Sequence, residues 1–355
     1  MAKIIYGVSG EGSGHSSRAK LVARHLLDAG HTVKIVSYDR GLKNLRDEFD
    51  VQEVVGLSIA SRDNKVSMLK TISENAAKLP EGIRKFKQLK KVFTAFQPDC
   101  VLTDFEPTTA YLARHYKLPL ISMDNQHRMR YMTYDYPAKL KKDALITQTI
   151  IRAMIPKPWY SLFTSFHYGE LKNNHCAVFP PILRPKVMEI SSSHRQHTLV
   201  YATSAFESLV ENLKSFPSET FYIYGFNKDE TLGNLHFKLF SEQGFLDDLA
   251  SCKAVIATAG FTLISESLYF KKPYLALPIQ GQFEQCLNAH MLDQKGLGKS
   301  ADAPSIDVIA SFFYFLNDYK KALASYSGFG NDALCQRLDE LLANDMEELK
   351  RYSPY

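Results

Sequence analysis

Apolar and polar positions along this chain alternate between two regimes. Residues 3–8 form a short β-branched run, 31–38 read as a second strand, and 100–103 are a continuous apolar run of the kind buried in a parallel sheet. Helical spacing separates them. Residues 16–29 carry Ala19, Val22, Ala23, Leu26 and Leu27 on one face and close on Gly30. Residues 83–96 read as an amphipathic helix, 107–116 as a second helix, 51–55 as a weaker strand and 118–123 as another strand. This β-α-β rhythm predicts a doubly wound parallel sheet.

From Arg128 to Lys186 the rhythm is lost, with Pro137, Pro156, Pro158, Pro180, Pro181 and Pro185 interrupting it. The cluster Phe179-Pro180-Pro181-Ile182-Leu183-Arg184-Pro185 has the stiffness of an interdomain connector. The alternation then restarts: strands at 198–202, 220–224, 254–258 and 274–277, helices at 206–215, 245–252, 263–270 and 285–295. Helical segments run from Ile306 to the end. The expected class is α/β, with two Rossmann-like halves that share architecture but no visible repeat.

Length agrees with this reading, because 355 residues exceed what one compact core usually holds. Hydrophobic residues at 45% and charged residues at 23% are ordinary for a globular protein. The five cysteines stand far apart without metal-ligand spacing, which points away from a disulfide framework and toward a reducing compartment. The N-terminal residues enter a strand at once, and no apolar run approaches a membrane span, so the expected location is cytoplasmic. Charge adds one feature. Residues 128–186 hold ten Lys and Arg against three acidic residues, a larger excess than the whole chain's +5, and they are rich in aromatics. Anionic lipid headgroups or a phosphate-bearing substrate suit such a segment. Nucleic acid has no motif behind it.

In open α/β sheets, ligands bind where strand ends lead into helices. The first such loop, Ser9-Gly10-Glu11-Gly12-Ser13-Gly14-His15, permits close backbone approach to an anion at a helix start. It departs from a dinucleotide fingerprint, and its glycines also suit a turn that simply packs strand on helix. His15 stands where a titratable group faces the cleft. The loop Thr103-Asp104-Phe105-Glu106-Pro107 offers Asp104 as a partner that orients His15. Glu106 is either an acceptor-side group or a cap on the helix dipole. Asp124-Asn125-Gln126-His127-Arg128 is densely polar after an apolar strand, and it marks Asn125, Gln126 and His127, with Glu11, as substrate-facing candidates. In the second half, Ala254 to Thr262 forms a strand, a small-residue turn and a helix start suited to a diphosphate. Glu266 follows, then Gln280-Gly281-Gln282-Phe283-Glu284-Gln285 and Asn288-Ala289.

The string from Thr258 to Glu266, then Lys272-Pro273, then Glu284-Gln285-x-x-Asn288-Ala289, resembles the donor-site signature of GT-B glycosyltransferases, the MurG-type and UDP-glycosyltransferase families. The loop ending in His15 resembles their N-terminal loop, and Phe245-Leu246-Asp247-Asp248-Leu249 their base-binding segment. The resemblance implies two domains facing across a cleft. Residues 1–186 would be the acceptor side and 187–312 the donor side, with helices of 313–355 packing back toward the first domain. It implies a nucleotide-sugar co-substrate, with UDP the expected carrier, no other cofactor and no metal, since no DxD-type site is present.

Carried over by position, Phe245 and Leu246 pack the base. Gly260 and neighbouring amides hold the diphosphate, Glu266 takes the ribose, Glu284 and Gln285 take the sugar, and Gly12, Gly14, Thr258, Phe261, Thr262 and Gln282 complete the donor-binding set. His15 becomes the general base of an inverting transfer to a hydroxyl acceptor, lipid-linked or part of a cell envelope, which would place the protein peripherally on the inner membrane face. Thr258 departs from the pattern, standing where many relatives carry a cation or imidazole. Two rivals share the architecture: a nucleotide-sugar epimerase and a non-catalytic sugar-nucleotide sensor.

Overall fold

The computed structural model describes residues 1–56, 61–62, 65–66, 79–202 and 207–355; Phe206, the expected start of a helix, lies outside them. The first half provides β1 (Lys3–Val8), β2 (Thr32–Ser37), β3 (Val51–Glu53), the small antiparallel pair β4 (Ser61–Arg62) and β5 (Lys65–Val66), then β6 (Cys100–Asp104), β7 (Leu120–Asp124), β8 (Tyr160–Thr164) and β9 (Cys176–Phe179). Seven of these form one parallel sheet in the order β3-β2-β1-β6-β7-β8-β9. The second half provides β10 (His197–Tyr201), β11 (Thr220–Tyr224), β12 (Glu230–Leu232), β13 (Leu235–Phe237), β14 (Ala254–Ala257), β15 (Tyr274–Ala276) and β16 (Gly298–Ser300). Their order is β12-β13-β11-β10-β14-β15-β16, antiparallel only at β12. Two Rossmann-like domains are thus formed. Every residue of β6, β7 and β14 is buried, as in parallel strands covered on both faces by helices.

Strands β8 and β9 stand where the sequence reading found no regular structure. Their residues are aromatic and β-prone, and the prolines around them mask the signal. Burial explains the aromatics that suggested a membrane surface: Trp159, Tyr160, Phe163 and Phe166 are core residues. The core of the first half also takes in Leu334, Leu338, Leu341, Leu342, Met346 and Leu349, so the helices Asp332–Leu342 and Glu347–Lys350 pack on the first domain. Helices Ile306–Tyr314 and Leu316–Ser325 stay with the second sheet through Ile309, Phe312 and Leu323. A further cluster joins Met129, Leu140, Ala144 and Phe166 to Phe261, Phe283 and Leu287, so the facing domains share an apolar seam.

Candidate functional site

Strand order reverses between β1 and β6 in the first sheet and between β10 and β14 in the second, and crevices open at such points. Register sets the first one. Val8 pairs with Asp104, and the Ser9 amide donates to the Asp104 carbonyl at 3.0 Å, so the loop leaving β1 starts beside that carboxylate. The loop then turns within tight limits. A Cβ on Gly10 would lie 2.1 Å from the Tyr38 carbonyl oxygen, and Gly12 has φ of +75°. The helix Ser13–Asp28 follows, and its residues 15 and 18 share one face.

That face meets Asp104. The His15 Nδ1 lies 2.6 Å from Asp104 Oδ1; Arg18 Nε donates to Oδ2 at 2.7 Å, and Arg18 Nη2 to Oδ1 at 2.6 Å. Burial works to raise the Asp104 pKa, but the Arg18 charge and the hydrogen bonds from His15 and Arg18 outweigh it and hold the carboxyl below its ordinary value. An ionised carboxylate only accepts, so the proton of the His15 ring sits on Nδ1 and Nε2 is left as the proton acceptor. Arg18 Nη1 donates onward to Asn125 Oδ1 at 3.0 Å, where Thr164 also donates. The ends of β6, β7 and β8 are thereby tied to one guanidinium.

The other first-half candidates divide. Glu106 is fully buried and caps the helix Pro107–His115, accepting from the Thr108 and Thr109 amides at 2.8 and 2.7 Å and from the Thr109 hydroxyl at 2.7 Å. Both oxygens are committed, so Glu106 is a cap and not an acceptor-side group. Burial nevertheless pushes its pKa up. Asn125 belongs to the Arg18 network. His127 is fully buried, its amide and Nδ1 directed to Asp124 at 2.8 and 2.7 Å. Its Nε2 and the Oε1 of Gln126 are buried without a partner among the described residues. Glu11 is exposed, and its amide donates to the Ser9 hydroxyl at 3.3 Å.

On the second domain, Gly260 precedes the helix Phe261–Tyr269 with ordinary φ and ψ of −68° and 132°, and a Cβ there would meet nothing within 4 Å. Thr258 gives its carbonyl to the Tyr274 hydroxyl at 2.6 Å. Gln282 accepts from Gln285 at 2.9 Å, and Gln285 from the Ile279 amide at 3.1 Å. Phe245 lies beneath Tyr201 and Phe240, ring centroids 5.5 and 5.6 Å away. Leu246 is entirely core, so it cannot touch a base. Phe261 faces the first domain, with its ring 5.7 Å from Phe166 and beneath Arg128. Glu266, 2% exposed, is held by Arg184 at 2.9 and 2.7 Å, and burial raises its pKa against the pull of that guanidinium.

Between the domains lies a pocket lined by Gly14, Ser17 and Arg18, by Ile182 and Arg184 of the connector, and by Phe261, Thr262, Ser265 and Glu266. Glycine at 14 matters here, since a Cβ would stand 2.9 Å from the Thr262 hydroxyl. Two helix N-termini and two guanidinium groups converge there, with Arg18 paired to Asp104 and Arg184 to Glu266. Arg128 stood in the polar strand-end loop named above, whereas Arg18 and Arg184 were missed by sequence reasoning. Their one signal is position: each lies in or just after a strand-end loop or the connector. Among the described residues no cluster of three or more His, Cys, Asp or Glu side chains forms a metal site, and no helix is long and apolar enough to cross a membrane.

A family model described as glycosyl transferase family 1 matches residues 2–317. A glycosyltransferase of Methanosarcina acetivorans is 25% identical over 327 residues, covering 84% of this chain and 85% of the relative; one from Methanosarcina mazei is 25% identical over 334 residues with the same coverage. Among solved structures, the glycotransferase of kitacinnamycin superposes with a TM-score of 0.67 at 14% identity, covering 99% of each chain. The spinosyn rhamnosyltransferase complexed with thymidine diphosphate gives 0.63 at 13%, covering 96% of this chain and 100% of its own. These neighbours are GT-B folds, and the matches to transferases do not favour the epimerase reading.

Proposed function

The chain belongs to glycosyl transferase family 1, and from that premise we propose that it moves a sugar from a nucleoside diphosphate to a hydroxyl acceptor with inversion. The observation that carries this reading is the His15–Asp104 pair at 2.6 Å, one residue beyond the glycine that meets the second domain's helix start. His15 Nε2 takes the acceptor proton while the acceptor oxygen attacks the anomeric carbon. The bond from that carbon to the diphosphate oxygen breaks, and the departing charge is taken up by the two helix N-termini with Arg18 and Arg184. These cations stand in for the one that Thr258 lacks, and the reading needs no metal.

Gly260 lets the diphosphate approach the backbone, Phe245 supports the base with Tyr201 and Phe240, and Glu284 and Gln285 take the sugar. Glu266 takes the ribose once Arg184 turns from it to the phosphates. The thymidine diphosphate bound to the spinosyn rhamnosyltransferase makes thymidine a carrier to test beside uridine. For the acceptor we favour a lipid-linked molecule at the cytoplasmic membrane face. The helix Lys141–Met154 supports that choice: Leu145 and Ile146, 67% and 42% exposed, lie beside exposed Lys141, Lys142 and Arg152.

The test is acceptor-dependent release of nucleoside diphosphate from a panel of uridine and thymidine diphosphate sugars. His15→Ala should slow release about 10²–10⁴-fold with donor binding kept. Release that needs no acceptor, or that survives His15→Ala, refutes the assignment.

A further inference from the structure

Arginine is seldom fully buried unless a carboxylate bonds it directly. Arg128 departs from that rule at 1% exposure. It begins a short helix, Arg128–Tyr131, just past the end of β7, and its side chain leaves the first domain altogether. Nη2 donates to Asn288 Oδ1 at 2.6 Å, and the same nitrogen lies 3.6 Å from Glu284 Oε1. The guanidinium carbon lies 5.2 Å from the Phe261 ring centroid. Asn288 in turn donates to the Ala259 carbonyl at 2.9 Å. One side chain of the acceptor half thus touches the helices that follow β14 and β15 of the donor half.

Its closest partner is neutral. An amide at 288 accepts the hydrogen bond without cancelling the charge, so the nearest compensation is the Glu284 carboxylate, held close but not bonded. Nε remains buried without a partner among the described residues, a donor whose desolvation is costly unless something fills it. An arrangement tuned only for packing would place a carboxylate or an apolar chain here.

We infer that Arg128 is a positioning residue for the donor sugar: across the domain seam it sets where the Glu284 carboxylate stands. This rests on reading Glu284 as a donor-sugar contact. The consequence is a division of labour within the donor site. The nucleotide end does not depend on Arg128, because Asn288 keeps its own bond to Ala259. The sugar end is read only when the two domains are engaged through Arg128.

A double-mutant cycle separates this from a structural role. Calorimetry on wild type, Arg128→Met, Glu284→Gln and the double variant would use UDP-glucose, UDP-N-acetylglucosamine and dTDP-glucose, with free UDP and dTDP as references. Arg128→Met should weaken the nucleotide sugar that wild type binds by about ten- to hundredfold and free diphosphate by no more than about threefold. Because Arg128 acts through Glu284, the double variant should be no worse than Glu284→Gln alone. Losses that multiply, or a parallel fall for the free diphosphate, overturn the inference. Should Arg128→Met fail to fold by circular dichroism, Arg128→Lys carries the same cycle. A wild type that binds UDP or dTDP but discriminates none of the three sugars removes the Glu284 reading, and this inference with it.

Discussion

Replacing Asp104 by Asn changes one atom type and removes the charge on which three hydrogen bonds converge. In the native site the carboxylate accepts from His15 Nδ1, Arg18 Nε and Arg18 Nη2 at 2.6, 2.7 and 2.6 Å, with no exposed surface. An amide cannot serve all three, since its NH₂ confronts either the imidazole N–H or the guanidinium. Arg18 is left buried and uncompensated, which costs about 3–5 kcal/mol of folding stability. If the NH₂ faces His15, the ring moves its proton to Nε2 and can no longer accept one, so turnover falls by about 10²–10⁴. Acid titration adds an independent sign. The native Asp104 pKa is depressed, so its contribution to stability is complete above the unfolded value, about 3.9, and disappears as pH falls through the lower native value. Urea denaturation across pH 2–7 should therefore show an acid limb in wild type that flattens in Asp104→Asn. Turnover within threefold of wild type in a folded Asp104→Asn enzyme would refute the tautomer argument. An unchanged acid limb would refute the ion-pair argument.

The other expectations are more local. Gly260→Val should fold and melt like wild type, because a Cβ at that position meets nothing within 4 Å and φ is ordinary, yet donor affinity measured by calorimetry should collapse; intact affinity removes the phosphate loop assignment. Anionic vesicles should float the protein at low salt and progressively less as salt rises, each nearby Lys or Arg contributing about 1 kcal/mol, and Leu145→Glu with Ile146→Glu should abolish capture. Capture no better than on neutral vesicles favours a soluble acceptor.

Much of the architecture was legible because its causes are local. A parallel strand buried on both faces is largely apolar, so β1, β6, β7 and β14 announce themselves in a few residues, and the loops after them follow by position. His15 and Asp104 were found in this way. Glu106 shows the limit of the method: a carboxylate before Pro107 fits a cap and a ligand contact equally, and only its two amide partners decide. Strands β8 and β9 were lost because prolines and charges around them hide a short aromatic run, and the aromatics then suggested a membrane surface that burial excludes for most of them.

What the sequence determined alone is therefore the alternation of elements, the strand ends where chemistry gathers, and the kind of residue waiting there. Tertiary structure decided the partners. Arg18 lies 86 residues from Asp104, Arg184 lies 82 from Glu266, and Arg128 lies 160 from Asn288. No periodicity couples positions so far apart. Strand order brings the first pair together, and the connector and the facing of two domains bring the others. A charge on a flexible side chain has no preferred neighbour until the folded backbone excludes water and leaves it one.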